Sequence, residues 1–360
     1  MKLSALISAI EAFAPGKLQE SWDNTGLQIG LPDGDGEVSG ALVCVDVTEA
    51  VVDEAVRRGC NVVLSHHPLI FKGFRSLTGS TPQQRAALTA VRAGVAVYST
   101  HTALDSTRDG ISYAMAAALG LEVVSVLAPT HLSSILLTVC CEAQATDDVR
   151  LALFDVGADD GDITTITACA AGMTTDADGT VAMTESDKTL VRVVTDPLRI
   201  GALRRALAGM TSTEMTVTEQ ALDGHPAGYG LGVVARVPHG ASISGSDLID
   251  LLHSTFGTPA IRTSAAFDPA AEYSIIAMCG GSGGEFINDA FRAGAQAYIS
   301  ADIRYHDMAD AAENGRTVFD VGHFESEQCA KTILLAIISK KFPNFAVYSS
   351  ETDTNPVKYL

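Results

Sequence analysis

Residues 41–68 read ALVCVDVTEAVVDEAVRRGCNVVLSHHP, and this stretch decides the fold class. The apolar, β-branched run Ala41–Val47 predicts a buried strand, Thr48–Arg58 has the pattern of a helix, and Asn61–Leu64 predicts a second buried strand. Short strands that are apolar throughout and alternate with helices are typical of a parallel sheet covered on both faces. The stretch therefore predicts an α/β protein.

The alternation of strand and helix continues beyond this stretch and returns in the last third of the chain. Pro82–Arg92 predicts a helix, and Val95–Tyr98 predicts a third strand. In the last third, predicted strands and helices alternate at Tyr273–Met278, Glu285–Arg292, Ala297–Ser300, Asp307–Glu313, Thr317–Val321 and Phe324–Lys340. We predict one central sheet flanked by helices, to which both ends of the chain contribute.

The middle of the chain has a different order of elements. Its predicted strands and helices run β-α-β-β-α-β, which is the order of a ferredoxin-like unit. They lie at Ser134–Cys141, Asp147–Phe154, Ile163–Ala171, Thr189–Thr195, Pro197–Leu207 and Met215–Gln220. We therefore predict a ferredoxin-like α+β domain at residues 131–235, inserted into a discontinuous α/β domain at residues 1–130 and 236–360.

Composition and charge limit the classes of function. The 360 residues include 43 acidic and 24 basic side chains, which gives a formal net charge of -19. Proteins that bind nucleic acids or anionic membranes use positive charge, so this net charge argues against both kinds of partner. The longest apolar stretches fall far short of the roughly 20 residues that span a bilayer. Seven cysteines occur without CxxC spacing, which favours reduced thiols. We expect a cytoplasmic protein without a membrane partner, for which nucleic acid is a poor ligand.

Histidines and acidic residues follow three of the predicted strands. They are His66, His67, His101, Asp105, His323 and Glu327. Because the carboxyl ends of parallel strands share one edge of a sheet, we expect these side chains to converge there. Each motif alone is more often ordinary surface chemistry, but core histidines would have no reason to share that edge. The set therefore predicts a metal site.

The number of candidate ligands indicates more than one metal ion. A catalytic zinc needs only three protein ligands, so six candidates favour two divalent ions bridged by a carboxylate and a water. Glu327 is the bridge candidate, because it follows His323 by four residues and both side chains can face one cleft. Nitrogen and oxygen ligands of this kind suit Zn, Fe, Mn, Co and Ni alike.

A glycine-rich run is a candidate for substrate contact. Gly280–Gly284 joins a predicted strand to a predicted helix and includes Gly281, Ser282 and Gly283. It is either a tight turn or a loop whose backbone N–H groups bind a phosphate or another part of the substrate. It lacks the Gly-Lys-Ser/Thr of a P-loop.

Two other motifs belong near the same edge. Asp302 and His306 follow the strand Ala297–Ser300 and are candidates for substrate contact and proton transfer. Ser21–Gly26 contains the only Trp of the chain and, considered alone, predicts a turn.

Together these motifs resemble the GTP cyclohydrolase 1 type 2 homologue family, also called Nif-three-like. In order they are Ser21–Gln28, Ser65–Pro68, Thr100–Thr102 with Asp105, Cys279–Gly284, Asp302–His306 and Gly322–Glu327. The resemblance implies a Nif-three-like α/β core, a dinuclear metal centre, and a toroidal homohexamer built as a trimer of dimers. It also implies that the insert is of the PII/CutA-like type.

The resemblance also implies which residues bind the metals. The family's ligands match five positions of this sequence, namely His66, His67, Asp105, His323 and Glu327. His101 matches a nearby histidine of the family and is expected to be a site residue.

Two function hypotheses follow. The first is a metal-dependent hydrolase acting on a nucleotide or phosphate ester, GTP cyclohydrolase-like by resemblance, in which His101 or His306 moves a proton. The metals would then supply the positive charge that an acidic chain needs in order to hold an anionic substrate. The second is a non-catalytic metal-binding, metal-delivery or regulatory scaffold protein.

Overall fold

The computed structural model describes residues 1–130, 132–158, 163–175, 177–226 and 228–360. The chain divides into two compact units, of which the first comprises residues 1–130 and 228–360 and the second residues 131–227.

The first unit begins with ten helices and strands. They are α1 (Leu3–Glu11), β1 (Gly26–Ile29), β2 (Ala41–Cys44), α2 (Glu49–Arg57), β3 (Val62–Ser65), α3 (Pro82–Ala93), β4 (Ala96–Ser99), α4 (His101–Ser106), α5 (Ile111–Ala118) and β5 (Glu122–Pro129). The second unit contains β6 (Ser133–Glu142), α6 (Thr146–Asp155), β7 (Ile163–Thr175), β8 (Val181–Thr195), α7 (Ile200–Ala208) and β9 (Met215–Pro226).

The first unit resumes after the second. Its remaining elements are β10 (Gly230–Arg236), β11 (Ile243–Ser244), α8 (Gly245–Phe256), β12 (Arg262–Thr263), β13 (Glu272–Tyr273), β14 (Ile275–Ser282), α9 (Ile287–Arg292), β15 (Ala297–Ala301), α10 (Tyr305–Glu313), β16 (Thr317–Asp320), α11 (His323–Glu327), α12 (Cys329–Lys341) and β17 (Val347–Ser349). None of the helices in the described part of the chain combines the length and the apolar character of a membrane-spanning segment.

A five-stranded sheet contains the strands that were predicted from residues 41–98. Its order is β1-β4-β3-β2-β17, with β1 antiparallel to β4 and the other neighbours parallel. Every residue of β2, β3 and β4 is buried, as their continuous apolar sequence predicts. The helix after β2 begins where Thr48 caps it, since the Thr48 hydroxyl accepts a hydrogen bond from Val51 N at 3.3 Å.

The last third of the chain forms a second sheet, so the prediction of one central sheet is wrong. Six strands lie in the order β12-β16-β15-β14-β10-β5, and β14, β15 and β16 are parallel neighbours. They do not extend the first sheet, because β1 and β17 occupy its two edges. The histidine-bearing strands β3 and β16 therefore belong to different sheets.

One hydrophobic core joins the two sheets. It contains Val43 and Leu64 from the first sheet, Met278 and Phe319 from the second, and Leu334 from α12, all with no exposed surface. Separate clusters cover the opposite face of each sheet. Burial of each such side chain contributes about 1.5–3 kcal/mol, so the shared core holds the two sheets against each other.

The second unit is a four-stranded antiparallel sheet with two helices. Its strand order is β7-β8-β6-β9, and its core combines Leu137 of β6 and Val193 of β8 with Val149 of α6 and Leu203 of α7. The predicted domain boundary at residue 235 differs from the observed one at 227. The difference arises because β10 pairs with β5 and β14 in the first unit.

Candidate metal centre

The carboxyl end of β3 presents His66 and His67. Their backbone N–H groups donate to the carbonyls of Cys44, the last residue of β2, and of Val45, at 3.1 and 2.9 Å. The Ser99 hydroxyl donates to the His66 carbonyl, and the Ser65 hydroxyl donates to the His67 carbonyl, both at 2.7 Å. Hydrogen bonds on both sides of the dipeptide therefore fix where the two rings lie.

His101 and Asp105 come from the short helix α4, which follows β4. His101 N donates to the His66 carbonyl at 2.9 Å, so the start of this helix is fastened to the end of β3. The φ angle of His101 is +24°, a conformation that costs a non-glycine residue on the order of 1–3 kcal/mol and is concentrated at functional sites.

His323 and Glu327 come from α11, which follows β16 in the second sheet. They lie one helical turn apart, and His323 Nε2 is 3.2 Å from Glu327 Oε2. The shared face is the one expected from their spacing of four residues.

All five side chains predicted to bind metal converge around Glu327. Its Oε1 lies 3.5 Å from His66 Nε2, and its Oε2 lies 2.8 Å from His67 Nε2. Asp105 Oδ1 is 3.6 Å from His66 Nε2, and the Nε2 atoms of His67 and His323 are 3.3 Å apart. Of these residues, His66, His67 and Glu327 form a group that could hold a metal ion, with ligand atoms all within 4.8 Å of one another.

Three of the histidines have a carboxylate behind them. The Nδ1-to-carboxylate distances are 2.8 Å for His67 and Asp46, 2.6 Å for His101 and Asp23, and 2.8 Å for His323 and Asp302. A carboxylate at Nδ1 fixes the ring so that Nε2 is the nitrogen that can bind metal. This arrangement is typical of metal-binding histidines.

Two of these carboxylates were not predicted as site residues. Asp46 follows β2 by two residues, so the strand-end argument applied to His66 could also have identified it. Asp23 belongs to the motif Ser21–Gly26, which alone predicted a turn, and local sequence does not show that its carboxylate reaches His101 and Thr102.

The electrostatics of the cluster favour a bound cation. Burial raises the pKa of Asp105, and the nearby Glu327 carboxylate raises it further. Burial also opposes ionisation of Glu327, but contacts with His66, His323 and His67 outweigh it and hold the pKa of Glu327 well below its usual range. Two buried carboxylates side by side are stabilised by a positive charge between them.

The histidines respond to the same carboxylates. Burial lowers the pKa of His66, which keeps the ring neutral as metal binding requires. Burial alone would also lower the pKa of His67 and His323, but their carboxylate partners raise it to about 10 and about 9.

Unpaired polar atoms give a further test of fit. Neither ring nitrogen of His66 has a hydrogen-bond partner among the described residues, and neither does Asp105 Oδ1. An unsatisfied buried polar atom costs about 1–3 kcal/mol. Imidazole nitrogen and carboxylate oxygen are ligands of divalent transition metals, so the residues present fit a metal ion.

Comparisons with known proteins identify the family. The model of the family Duf34/NIF3 (NGG1p interacting factor 3) matches residues 1–356. The chain belongs to the Duf34/NIF3 family. The Mycobacterium tuberculosis protein named GTP cyclohydrolase 1 type 2 homolog is 31% identical over 343 residues, which cover 91% of this chain and 88% of that protein.

Solved structures have a similar fold, and one of them is of a protein related to NIF3. A Bacillus cereus protein related to NIF3 is 26% identical, with a TM-score of 0.86 over 100% of this chain and 99% of that chain. A Staphylococcus aureus protein is 25% identical, with a TM-score of 0.74 over the same shares. The mixed α/β architecture predicted from the sequence is therefore that of NIF3-related proteins.

A cavity of about 410 Å³ opens onto the cluster of this Duf34/NIF3 protein. Ser282 lines it, together with Trp22, Phe71 and His101. Gly281 and Gly283, which were predicted together with Ser282, are not among its lining residues and make close contacts inside the protein. A Cβ at Gly281 would lie 2.2 Å from Glu327 Oε1, so the glycine, with a φ of +63°, is required for Glu327 to reach the cluster.

The remaining predicted residues lie at different distances from the cluster. Asp302 contacts His323 and lines a second cavity of about 520 Å³, which shares His67 and His323 with the first. His306 is exposed on α10 and packs against Tyr305, with ring centroids 5.3 Å apart. It is not among the residues that line either cavity, so the structure does not bring it to the cluster.

Proposed function

We propose that this chain is a metal-dependent hydrolase that binds two divalent metal ions per subunit and acts on a nucleotide or a phosphate ester. The observation that carries the proposal is that the two carboxylate oxygens of Glu327 face different donors. Oε1 faces His66, whereas Oε2 faces His67 and His323.

This division supports two separate binding positions for the ions. His66 and Asp105 would hold the first, His67 and His323 the second, and Glu327 would bridge them. Two divalent ions held by these residues would supply a water molecule with a pKa lowered toward neutrality and positive charge for a phosphate or ring oxygen.

His101 is the residue proposed to move a proton. Its Nδ1 is held by the buried Asp23 carboxylate, which leaves Nε2 to accept or donate a proton in the cavity. Burial opposes ionisation of Asp23, but its hydrogen bonds with His101 and Thr102 outweigh it and keep the pKa of Asp23 well below its usual range. Asp23 therefore stays a carboxylate that orients the His101 ring.

Two further statements rest on the family resemblance and on the order of the elements. We infer that the second unit is a ferredoxin-like domain of the PII/CutA-like type, because its elements run β-α-β-β-α-β and its sheet order is β7-β8-β6-β9.

We also infer a cytoplasmic homohexamer built as a trimer of dimers. Light scattering of the purified protein tests the assembly, and a mass other than six chains would contradict it.

Metal analysis combined with an activity screen tests the hydrolase. We expect the wild type to hold two metal ions per chain and to turn over GTP, another nucleotide or a phosphodiester. Glu327→Gln should lose both metal and turnover, and Glu313→Gln, an exposed glutamate on α10, should keep both. Two bound ions with no turnover of any of these substrates would overturn the hydrolase and favour metal delivery or a regulatory scaffold.

A further inference from the structure

Two exposed aromatic side chains form one wall of the cavity that opens onto the cluster of proposed metal ligands. Trp22 is 58% exposed and Phe71 is 43% exposed. Their ring centroids are 6.0 Å apart, and each lies within 6.1 Å of the His101 ring. Large aromatic side chains left open to solvent beside a concave site are typical of ligand contact.

Hydrogen bonds join the segment after Trp22 to Ile70, the residue before Phe71. The Asn24 side-chain amide donates to the Ile70 carbonyl, and Ile70 N donates to Gln28 Oε1 at 2.7 Å. Gln28 Nε2 in turn donates to the Asn24 carbonyl at 2.5 Å. The segments that carry Trp22 and Phe71 are therefore held together by hydrogen bonds.

The same wall is joined by hydrogen bonds to residues beside the cluster of proposed metal ligands. Asp23, which directly follows Trp22, contacts His101 Nδ1 at 2.6 Å and accepts a hydrogen bond from Thr102 N at 3.1 Å. A ligand that rests on Trp22 would therefore lie beside the residues proposed to move a proton and bind the metals.

The rest of the lining limits what the ligand can be. The described lining residues include no Lys or Arg, so an anionic group in this cavity would depend on the metals or on the histidines for neutralisation. Glu285 and Ser282 are polar lining residues, and the Glu285 carboxylate can accept hydrogen bonds from ring or exocyclic N–H groups. A volume of about 410 Å³ suits a small molecule rather than a protein segment.

We propose that the Trp22–Phe71 wall binds a planar heteroaromatic ring, so that the substrate class consists of compounds in which such a ring carries the group that reaches the metals. The ring stacks on the exposed face of Trp22, Phe71 contacts its edge, and Glu285 accepts from its N–H groups. The assignment of the reacting group to the metals rests on the proposed hydrolase function, whereas the ring contact does not.

Fluorescence of Trp22 tests the proposal directly, because the chain contains a single Trp. Guanosine is the probe, since it has a flat ring with N–H donors and no phosphate. We expect guanosine to quench Trp22 saturably and ribose to have no effect. Phe71→Ala should raise the dissociation constant about tenfold, because it removes the aromatic contact with the edge of the ring.

Tyr305→Ala is the matched control, because Tyr305 is an 80% exposed aromatic side chain that lines neither cavity. It should bind guanosine like the wild type. Equal quenching by ribose, absence of saturable quenching by guanosine, or an unchanged dissociation constant in Phe71→Ala would overturn the proposal. Circular dichroism of each variant checks that the fold is retained, and Phe71→Leu replaces Phe71→Ala if the latter does not fold.

The Glu327→Gln variant separates this proposal from the hydrolase. Guanosine should still quench Trp22 in that variant even though its metals are lost. Guanosine binding without any turnover would leave the ring site standing and overturn the hydrolase. Turnover of a non-aromatic phosphate ester without guanosine binding would do the reverse.

Discussion

A carboxylate behind a histidine decides which ring nitrogen faces the candidate metal site. Asp46 holds Nδ1 of His67, and Thr354 donates to the other Asp46 oxygen at 3.1 Å. Asp46 is thus itself oriented, although it lies outside the set of proposed ligands. Partners of this kind tune metal affinity without touching the metal.

Replacing Asp46 should therefore weaken metal binding without unfolding the protein. We expect Asp46→Asn to lower metal affinity about 10–100-fold, because the amide no longer fixes the His67 ring. Competition with a chelator of known affinity measures this. Asp250→Asn, at an exposed position on α8, is the control and should bind metal like the wild type. Equal affinity in both variants would contradict the role of Asp46.

Gly281 is a second single residue on which the cluster depends. Gly281→Ala would place a methyl group 2.2 Å from Glu327 Oε1 and should abolish metal binding. Gly315→Ala is a matched control, since Gly315 has nearly the same φ, +64°, with nothing within 4 Å of the added carbon. Both variants should lose about 1–2 kcal/mol to backbone strain, but only Gly281→Ala should lose metal. Metal loss in both would assign the effect to strain.

The same residues show how far sequence reasoning reaches at this scale. Strand-end placement was enough to single out His66, His67 and His323, because residue type and position are both local properties. The need for glycine at 281 was not visible, since it arises from the approach of Glu327, which is distant in sequence. Contacts across the fold leave no local pattern.

At the scale of elements, helix α2 anchors the segment that follows β17. Its residue Glu54 is only 3% exposed and accepts hydrogen bonds from Ser350 Oγ at 2.7 Å, Glu351 N at 3.0 Å and Thr352 Oγ1 at 2.7 Å. Burial alone would raise the pKa of Glu54, but these hydrogen bonds outweigh it and lower the pKa to about 2 from 4.5.

This anchor should make stability depend on pH. Because the folded pKa lies below the unfolded one, the stabilisation is fully present above about pH 5 and is lost as the pH falls toward 2. We expect Glu54→Gln to lower the free energy of unfolding by up to about 3 kcal/mol at pH 7 and by much less near pH 2. Urea denaturation at several pH values measures the difference.

The control lies in the same helix. Glu49 is 45% exposed and pairs with Arg85, so Glu49→Gln should change the free energy of unfolding by less than about 1 kcal/mol at any pH. If Glu54→Gln destabilised the protein equally at pH 7 and pH 2, the charge of Glu54 would not be the cause.

The partition of strands into sheets was the main error at this scale. The apolar runs located β2, β3, β4, β15 and β16 to within a few residues, because a strand that is buried on both faces is apolar along its whole length. Whether β16 joins β3 or forms another sheet depends on edge strands such as β1 and β17, which pair with partners far away in sequence. The argument from strand ends therefore located the cluster, but it assumed that all these strand ends lie on one edge of a single sheet.

At the scale of the whole molecule, the two points of the first unit between which the second unit is inserted lie next to each other. Thr130 N donates to the Tyr229 carbonyl at 2.8 Å, and Pro129 pairs with Gly230 in adjacent antiparallel strands. A short turn can join such strands. The chain of the first unit is therefore continuous in space across the insertion.

The insert should be removable without loss of the metal centre. We expect a chain in which residues 131–227 are replaced by a short Gly-Asn turn to fold and to bind as much metal per chain as the full chain. Metal analysis and thermal unfolding measure this. A shortened chain that folds but does not bind metal would show that the second unit contributes to the centre.

The separation of the ligands along the chain has a consequence for synthesis. His67 and His323 are 256 residues apart, and the whole second unit lies between them. Translation proceeds from the N-terminus and domains generally fold as units during it, so the nascent chain exposes His66, His67 and Asp105 before Glu327 exists. The proposed ligand set is complete only after α11 has left the ribosome, so a chain arrested before that point lacks His323 and Glu327.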